Sequence, residues 1–321
     1  MKKIGKFILI IIVALTAFSC LKEFSPKAEF KEKYILNCIL KSDTAFQVAT
    51  VSHSFDVNGY DPSVNKVDPT IKNADIRLWY GDDIYIFNDS TTAVTGSRYG
   101  DSVTFYYVNN FMPKINKSVE IEALLPNGLR LKSTTVLPDE IKFNVFESDR
   151  SIPPLNKDGI IVKWRYEDGN PIFAPRFTLV YRKLENGINV RHVVDVPSKY
   201  VNQNGSFVPV FPVPSKQNYV EADMDAITRL MEHISEGDPV KENYTILSVV
   251  LWVYIFDQNL SNYYSSSSQG IGDILVMLDQ NDFSNIENGY GIFGSYSIQG
   301  YSLLISKEYI ESFGYIAGLN N

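Results

Sequence analysis

Residues 34–137 show apolar and polar side chains in alternation, with the period of two that is typical of half-buried β-strands. The apolar residues that share one strand face are Leu36, Cys38 and Leu40; Phe46 and Val48; Ile76, Leu78 and Tyr80; and Val119, Ile121 and Ala123. Asn127-Gly128 follows the last of these strands and favours a tight hairpin turn, because Asn and Gly tolerate positive φ angles. The pattern predicts an antiparallel sandwich of immunoglobulin-like type over residues 34–137.

The segment 138–321 begins with a second series of predicted strands. They cover residues 141–146, 159–166, 176–183, 188–196 and 244–256. Glycine-containing turns separate several of them. Trp164 stands inside an apolar run, where sandwich domains often bury an aromatic residue between their sheets. These features predict a second β-rich domain of fibronectin-like type.

Three stretches of the second domain depart from the strand pattern. Residues 221–236 predict an amphipathic helix, and residues 259–268 predict a polar helix rich in Tyr and Ser. The apolar residues at helical spacing in the first helix are Met224, Ile227, Leu230, Met231 and Ile234. The proline-rich stretch 208–214 must be extended, and a rigid connector is a simpler interpretation than a peptide-docking edge. The predicted fold class is mostly β: two tandem β-sandwich domains, with one or two short helices in the second.

The first twenty residues have a different character. A short start with three lysines precedes an apolar run over residues 7–18, which ends beside Cys20. This order is that of a secretory signal peptide, and a cysteine after a small residue at its end is typical of bacterial lipoproteins. We predict a signal peptide over residues 1–19, lipidation of Cys20 and a tether over residues 20–33.

Two alternatives compete with this interpretation. The first is an uncleaved transmembrane helix, but the apolar run is shorter than the roughly 20 residues that a span requires. The second is an ordinary signal peptide with Cys20 merely nearby. If Cys20 is lipidated, its acyl chains form a stable anchor, because each buried CH₂ contributes about 0.8 kcal/mol and several chains act together.

The residues after Cys20 bear on which side of the membrane the protein faces. Lys22 and Glu23 resemble the lysine-plus-acid export signal of surface lipoproteins from the Bacteroidota. The alternative is a solvated linker with no sorting role. We expect a lipid-anchored protein of the cell outer membrane that faces outward.

The net charge limits the classes of binding partner, and the cysteine content limits the possible disulfides. Removal of residues 1–19 takes away three lysines and no acid, so the formal charge changes from −7 to −10. This charge speaks against a nucleic-acid partner, which requires a basic face. Cys38 is the only cysteine left once Cys20 is lipidated, so no intrachain disulfide can form. Its apolar strand predicts a small buried hydrophobic residue.

The sequence contains no recognisable catalytic or metal-binding constellation. Gly289, Gly291 and Gly294 have the spacing of a dinucleotide-binding fingerprint, but no βαβ unit surrounds them. A tight loop that passes close to other backbone is the better interpretation. The acidic loop 56–61 lacks the further oxygen ligands of a calcium site. No two of the three histidines have a metal-ligand spacing: His53, His192 and His233. We expect no enzyme, no cofactor and no metal, and the ligand-binding residues are not predicted.

Three stretches resemble a known family: residues 35–40, 71–78 and 283–294. Tyr263-Tyr264 resembles the aromatic pair that precedes the third stretch in that family. The chain thus resembles a family of uncharacterised Bacteroidota outer-membrane lipoproteins, catalogued as a domain of unknown function. The resemblance implies two β-rich domains and genes encoded beside TonB-dependent receptors. It implies no catalytic residues, because none is established for the family.

These observations lead to two main hypotheses. The first is a non-catalytic binding or accessory module that partners a TonB-dependent receptor in nutrient uptake and uses exposed aromatic residues to hold a glycan or peptide. The second is a structural or adhesive surface lipoprotein without a transport partner. A surface hydrolase would need a cleft with two carboxylates, or with a carboxylate and a histidine.

Overall fold

The structure is a computed structural model that describes residues 29–57, 59, 61–94, 99–100, 102–268 and 283–318. This part of the chain is mostly β, as the sequence predicts. The predicted signal peptide and the residues Cys20, Lys22 and Glu23 lie outside the described residues.

The described residues form nineteen strands and three α-helices. The strands are β1 (Tyr34–Lys41), β2 (Gln47–His53), β3 (Asp75–Tyr80), β4 (Asp83–Ile86), β5 (Asn88–Ala93), β6 (Ser102–Val108), β7 (Ser118–Leu124), β8 (Arg130–Val136), β9 (Lys142–Phe143), β10 (Ser151–Ile152), β11 (Gly159–Arg165), β12 (Phe173–Glu185), β13 (Ile188–Val196), β14 (Lys199–Gln203), β15 (Ser206–Val210), β16 (Tyr219–Asp223), β17 (Tyr244–Phe256), β18 (Tyr290–Ile305) and β19 (Ile316–Ala317). The helices are α1 (Met224–His233), α2 (Gln258–Ser268) and α3 (Lys307–Glu311), and short 3-10 helices lie at Pro62–Val64 and Lys241–Asn243.

One long sheet contains strands from both halves of the chain. Its strand order is β13-β12-β17-β18-β1-β2-β6-β5. β1 and β18 pair in parallel, from Ile35 opposite Tyr290 to Lys41 opposite Tyr296. An early strand and a late strand of the chain therefore lie side by side in the middle of the sheet. Hydrophobic periodicity does not predict this pairing, because it tells which face a residue occupies and not which strand lies beside it.

The first hydrophobic core lies between the long sheet and a four-stranded sheet with the order β4-β3-β7-β8. The predicted inward residues that are buried there are Leu36, Cys38, Leu40, Ile76, Leu78, Val119, Ile121 and Ala123. Two facing sheets with alternating inward residues make a β-sandwich, so the predicted architecture is confirmed.

At strand β2, the face that carries Phe46 and Val48 points outward. The opposite face points into the core. Phe46 is 43% exposed, whereas Gln47 is completely buried. The Gln47 amide donates through Nε2 to Lys41 O at 2.9 Å and to Thr44 O at 2.6 Å. Because backbone groups satisfy this amide, the polar residue can occupy a core position. Phe46 and Val48 do share a face, but it is the outer face of the sheet.

The second core lies between the long sheet and a three-stranded sheet with the order β16-β11-β9, and α1 packs on it. Trp164 is 1% exposed and packs edge-on against Phe173, with ring centroids 5.5 Å apart, so the predicted buried aromatic residue is confirmed. The buried side of α1 consists of Ala226, Ile227, Leu230 and Met231. The helix begins at Met224 and not at residue 221, because residues 221–223 belong to β16 and pair with β11.

The glycine-rich segment is the start of a strand and not a loop. Gly291 is the second residue of β18 and has a φ of +110°. A Cβ on Gly291 would overlap the carbonyl oxygen of Leu36 and lie 2.8 Å from Asn37 Oδ1. The predicted close approach to other backbone is therefore confirmed, and the parallel pairing of β1 with β18 is its cause.

Candidate functional site

The histidines form three separate pairs, each with a different glutamate. The pairs, with their N–O distances, are His53–Glu32 (2.8 Å), His192–Glu185 (3.1 Å) and His233–Glu236 (2.7 Å). Within the described ranges, no three His, Cys, Asp or Glu side chains gather closely enough to hold a metal ion. The fold therefore does not bring the histidines together into one site.

Cys38 is a core residue, as its strand pattern predicts. Its side chain is 2% exposed, and burial raises the pKa of the thiol to about 12. A thiol with so high a pKa stays protonated at neutral pH, and only the thiolate is a good nucleophile or metal ligand. Cys38 thus contributes packing and no reactivity.

Asp257 is the one buried charged residue among those that the structure describes. Its Oδ1 accepts a hydrogen bond from Leu260 N at 2.7 Å at the start of α2, and Oδ2 accepts from Ser295 Oγ at 3.2 Å. Thr135 Oγ1 also donates to Oδ2. Burial raises the pKa of this carboxyl above its ordinary value. We call Thr135, Asp257 and Ser295 the polar junction, because they connect β8, β18 and α2.

The polar junction and the segment before β18 are structural. Asn285 donates through Nδ2 to Phe293 O at 2.7 Å, and its Oδ1 accepts from Phe293 N at 2.9 Å. Ser133 Oγ donates to Asn285 O at 2.7 Å. These groups bind the backbone of β18 and of the chain that leads into it. The glycine-rich segment therefore holds two sheets together and offers no phosphate-binding loop.

The candidate site is a row of aromatic side chains on the outer face of the long sheet. We call these residues the aromatic face: Phe46, Phe105, Tyr107, Tyr254, Phe256 and Tyr296. Each lies on a strand, or directly before one, whose alternate residues point into a core. Strand alternation therefore forces these rings outward, where they are exposed or half-buried.

The rings of the aromatic face form two groups. Phe46 and Tyr107 stack with their centroids 5.5 Å apart, and Tyr254 meets Tyr296 edge-on at 5.4 Å. Strand β1 lies between the two groups, and its exposed residue Lys41 pairs with Tyr296. The rings support one another in geometries that aromatic pairs prefer. The surface is thus organised before any ligand arrives.

The rings of the aromatic face carry no charge, although the exposed Lys41 lies between their two groups. Burial raises the pKa of the Tyr296 phenol to about 12, so this hydroxyl stays protonated at physiological pH. At one end of the face, Arg176 Nε and Asp195 Oδ1 lie 2.5 Å apart and compensate each other's charge. Such a surface can stack and donate hydrogen bonds, but it holds no acid–base pair. Periodicity failed to single out these residues, because Phe105-Tyr106-Tyr107 is aromatic on both faces of β6.

Fold and surface together define a β-sandwich protein that presents an aromatic surface. The chain belongs to the family described as a domain of unknown function (DUF4249), which matches residues 22–302. The match includes the three stretches that resemble an uncharacterised family, so that part of the prediction is confirmed. No curated protein matches the chain significantly. No helix in the described residues has the length and apolar character needed to cross a membrane.

Proposed function

We propose that the protein is a lipid-anchored outer-membrane lipoprotein of the Bacteroidota that faces outward and serves a TonB-dependent receptor as a non-catalytic binding module in nutrient uptake. The aromatic face is the observation that carries this proposal. The location rests on Cys20, Lys22 and Glu23, and the receptor rests on the resemblance to lipoproteins that are encoded beside such receptors.

Binding of a partner over the aromatic face is favourable because it removes apolar area from water. Burial of apolar area contributes roughly 25 cal/mol per Å², and aromatic side chains provide large areas with few rotatable bonds. Tyr and Phe are enriched at protein interfaces and at their energetic centres. The Tyr hydroxyls add hydrogen bonds at the edge of an apolar contact. A ligand or receptor loop bound to this face would bury the apolar ring area and accept hydrogen bonds from the Tyr hydroxyls.

The anchor is tested by replacing Cys20 with alanine. The variant should lose the mass of the acyl chains and leave the outer-membrane fraction, because the acyl chains are attached to this thiol. Mass spectrometry of the purified protein and immunoblots of separated membranes measure the two effects. Cys38→Ala is the matched control and should keep both acyl mass and location. An outer-membrane protein that keeps its acyl chains despite Cys20→Ala would overturn the anchor.

The partner is tested by affinity purification of the tagged lipoprotein from detergent-solubilised outer membranes. We expect one TonB-dependent receptor in near-equal amount. The double variant Phe46→Ser, Tyr107→Ser should recover about tenfold less receptor, because two stacked rings of the aromatic face are lost. Phe146→Ser is the control, since Phe146 is 95% exposed and lies outside the face.

Two outcomes of this purification would contradict the proposal. If no barrel receptor accompanies the protein, the structural or adhesive alternative takes its place, and deletion should then change attachment while uptake stays normal. If the receptor is recovered equally with all variants, the aromatic face is not the contact surface.

A further inference from the structure

A small cleft lies at the end of the aromatic face that carries Tyr254. It is formed where β13 ends and the proline-rich connector crosses beside β12, and its volume is about 260 Å³. The residues that decide its chemistry are Arg176, Asp195, Phe211, Pro212, Pro214 and Tyr254. This volume is slightly below the roughly 300 Å³ at which pockets for drug-sized ligands begin. The cleft therefore has room for a single ring of a larger ligand.

The polar edge of the cleft is a salt bridge whose two side chains are both partly exposed to solvent. Arg176 Nε lies 2.5 Å from Asp195 Oδ1, and Nη2 donates to Oδ2 at 2.9 Å. The side chains are 54% and 37% exposed. The bond to Asp195 raises the pKa of the Arg176 guanidinium, and the neighbouring Tyr254 phenol contributes to the same shift. The edge thus presents fixed donors and acceptors side by side, with no net charge.

The walls of the cleft are apolar and stiff. Phe211 is 45% exposed, and Pro212 and Pro214 fix the backbone beside it, because proline locks φ. Tyr254, which also lines the cleft, is held by its edge-on contact with Tyr296, with centroids 5.4 Å apart. The cleft needs little ordering when a ligand binds, which favours affinity.

We propose that this cleft binds one neutral pyranose ring of a glycan. Adjacent hydroxyls of a sugar each donate and accept, which matches a guanidinium beside a carboxylate. The C–H faces of the ring match Tyr254 and Phe211. A compensated salt bridge gives no net attraction to an anion or a cation, so an uncharged ligand is favoured. This inference rests on the proposed function, because it names the ligand class at one end of the aromatic face.

The test uses the full mature lipoprotein in detergent and saturation-transfer NMR. The probes are maltotriose, cellotriose and mannotriose, with trialanine amide as the peptide comparison. At least one trisaccharide should receive saturation on its ring protons. Tyr254→Ala and Arg176→Met should each weaken its affinity about tenfold, through loss of the stacking ring and of charge-assisted hydrogen bonds. Phe146→Ala is the control, because Phe146 is 95% exposed and belongs neither to the aromatic face nor to the cleft, and it should leave the affinity unchanged.

Each other outcome overturns the inference. No transfer to any of the three trisaccharides excludes a neutral sugar, and transfer to trialanine amide alone assigns the cleft to peptides. Trisaccharide binding that survives both cleft variants places the sugar elsewhere. Thermal unfolding of each variant verifies that it is folded. Receptor recovery with the unaltered protein distinguishes this inference from the proposed function. A wild-type protein that recovers the receptor but binds none of the trisaccharides removes this inference and leaves the proposed function standing.

Discussion

Replacing Gly291 with alanine is expected to abolish stable folding of the chain. The new Cβ would overlap Leu36 O and lie 2.8 Å from Asn37 Oδ1, and the φ of +110° already strains any side chain. The methyl group cannot rotate away, so β1 and β18 must separate in the middle of the long sheet. A loss of more than about 4 kcal/mol is expected, which is a large part of the total stability of a typical domain. Urea unfolding followed by circular dichroism measures it.

Gly128→Ala is the matched control for this experiment. Gly128 also has a positive φ, +87°, but nothing lies within 4 Å of the position where its Cβ would be. Alanine there should cost only the backbone term of about 1 kcal/mol. Equal losses at Gly291 and Gly128 would mean that the contact between β1 and β18 is not as close as described.

The second large effect concerns Asp257 in the polar junction. Asp257→Ala should lower the free energy of unfolding by about 3 kcal/mol, because it leaves the buried hydroxyls of Thr135 and Ser295 and the amide of Leu260 without their acceptor. Asp225→Ala is the control. Asp225 forms an exposed pair with Arg229 within α1, and solvent screens such surface pairs so that the loss should be small.

The ionisation of Asp257 is also expected to make the free energy of unfolding depend on pH. Because burial raises the pKa of this carboxyl, the folded protein holds the proton above about pH 4, where the unfolded chain releases it. Unfolding then releases a proton, so the stability falls as pH rises until the folded carboxyl ionises. Asp257→Asn has no such proton. The stability difference between wild type and Asp257→Asn, measured by urea unfolding from pH 4 to pH 8, should shift against the wild type with rising pH. A difference that is constant or grows in favour of the wild type would contradict a raised pKa.

The alternation of apolar residues predicted the strands well, because successive side chains on a strand point to opposite faces and the buried face is apolar. It predicted the inward residues of β1, β3 and β7 and the buried Trp164, and these are confirmed. It did not predict which face of β2 is inward, because there the polar Gln47 occupies the core. That failure has a local cause, since Gln47 is satisfied by backbone groups that only the folded turn brings near.

Periodicity could not predict the neighbours of a strand or the site. The hydrogen bond from Ile292 N to Asn37 Oδ1 joins residues that are 255 positions apart. The pattern of apolar residues in one strand does not indicate which other strand pairs with it. The aromatic face was missed for a different reason. An outward tyrosine such as Tyr107 and a buried one such as Tyr106 are equally apolar in a sequence. Only the face of β6 on which each residue lies distinguishes them, since Tyr106 points into the core and Tyr107 points outward.

The parallel pairing of β1 with β18 also sets an order of events during synthesis. A chain that emerges with its N-terminus first presents β1 long before its partner exists, since that partner begins at Tyr290. Until then one edge of β1 has no hydrogen-bonded neighbour, and an open edge is the usual starting point for wrong association between chains. Completion of the long sheet thus has to wait until β18 has been synthesised. In a newly made chain that edge therefore stays open to wrong association until β18 pairs with it.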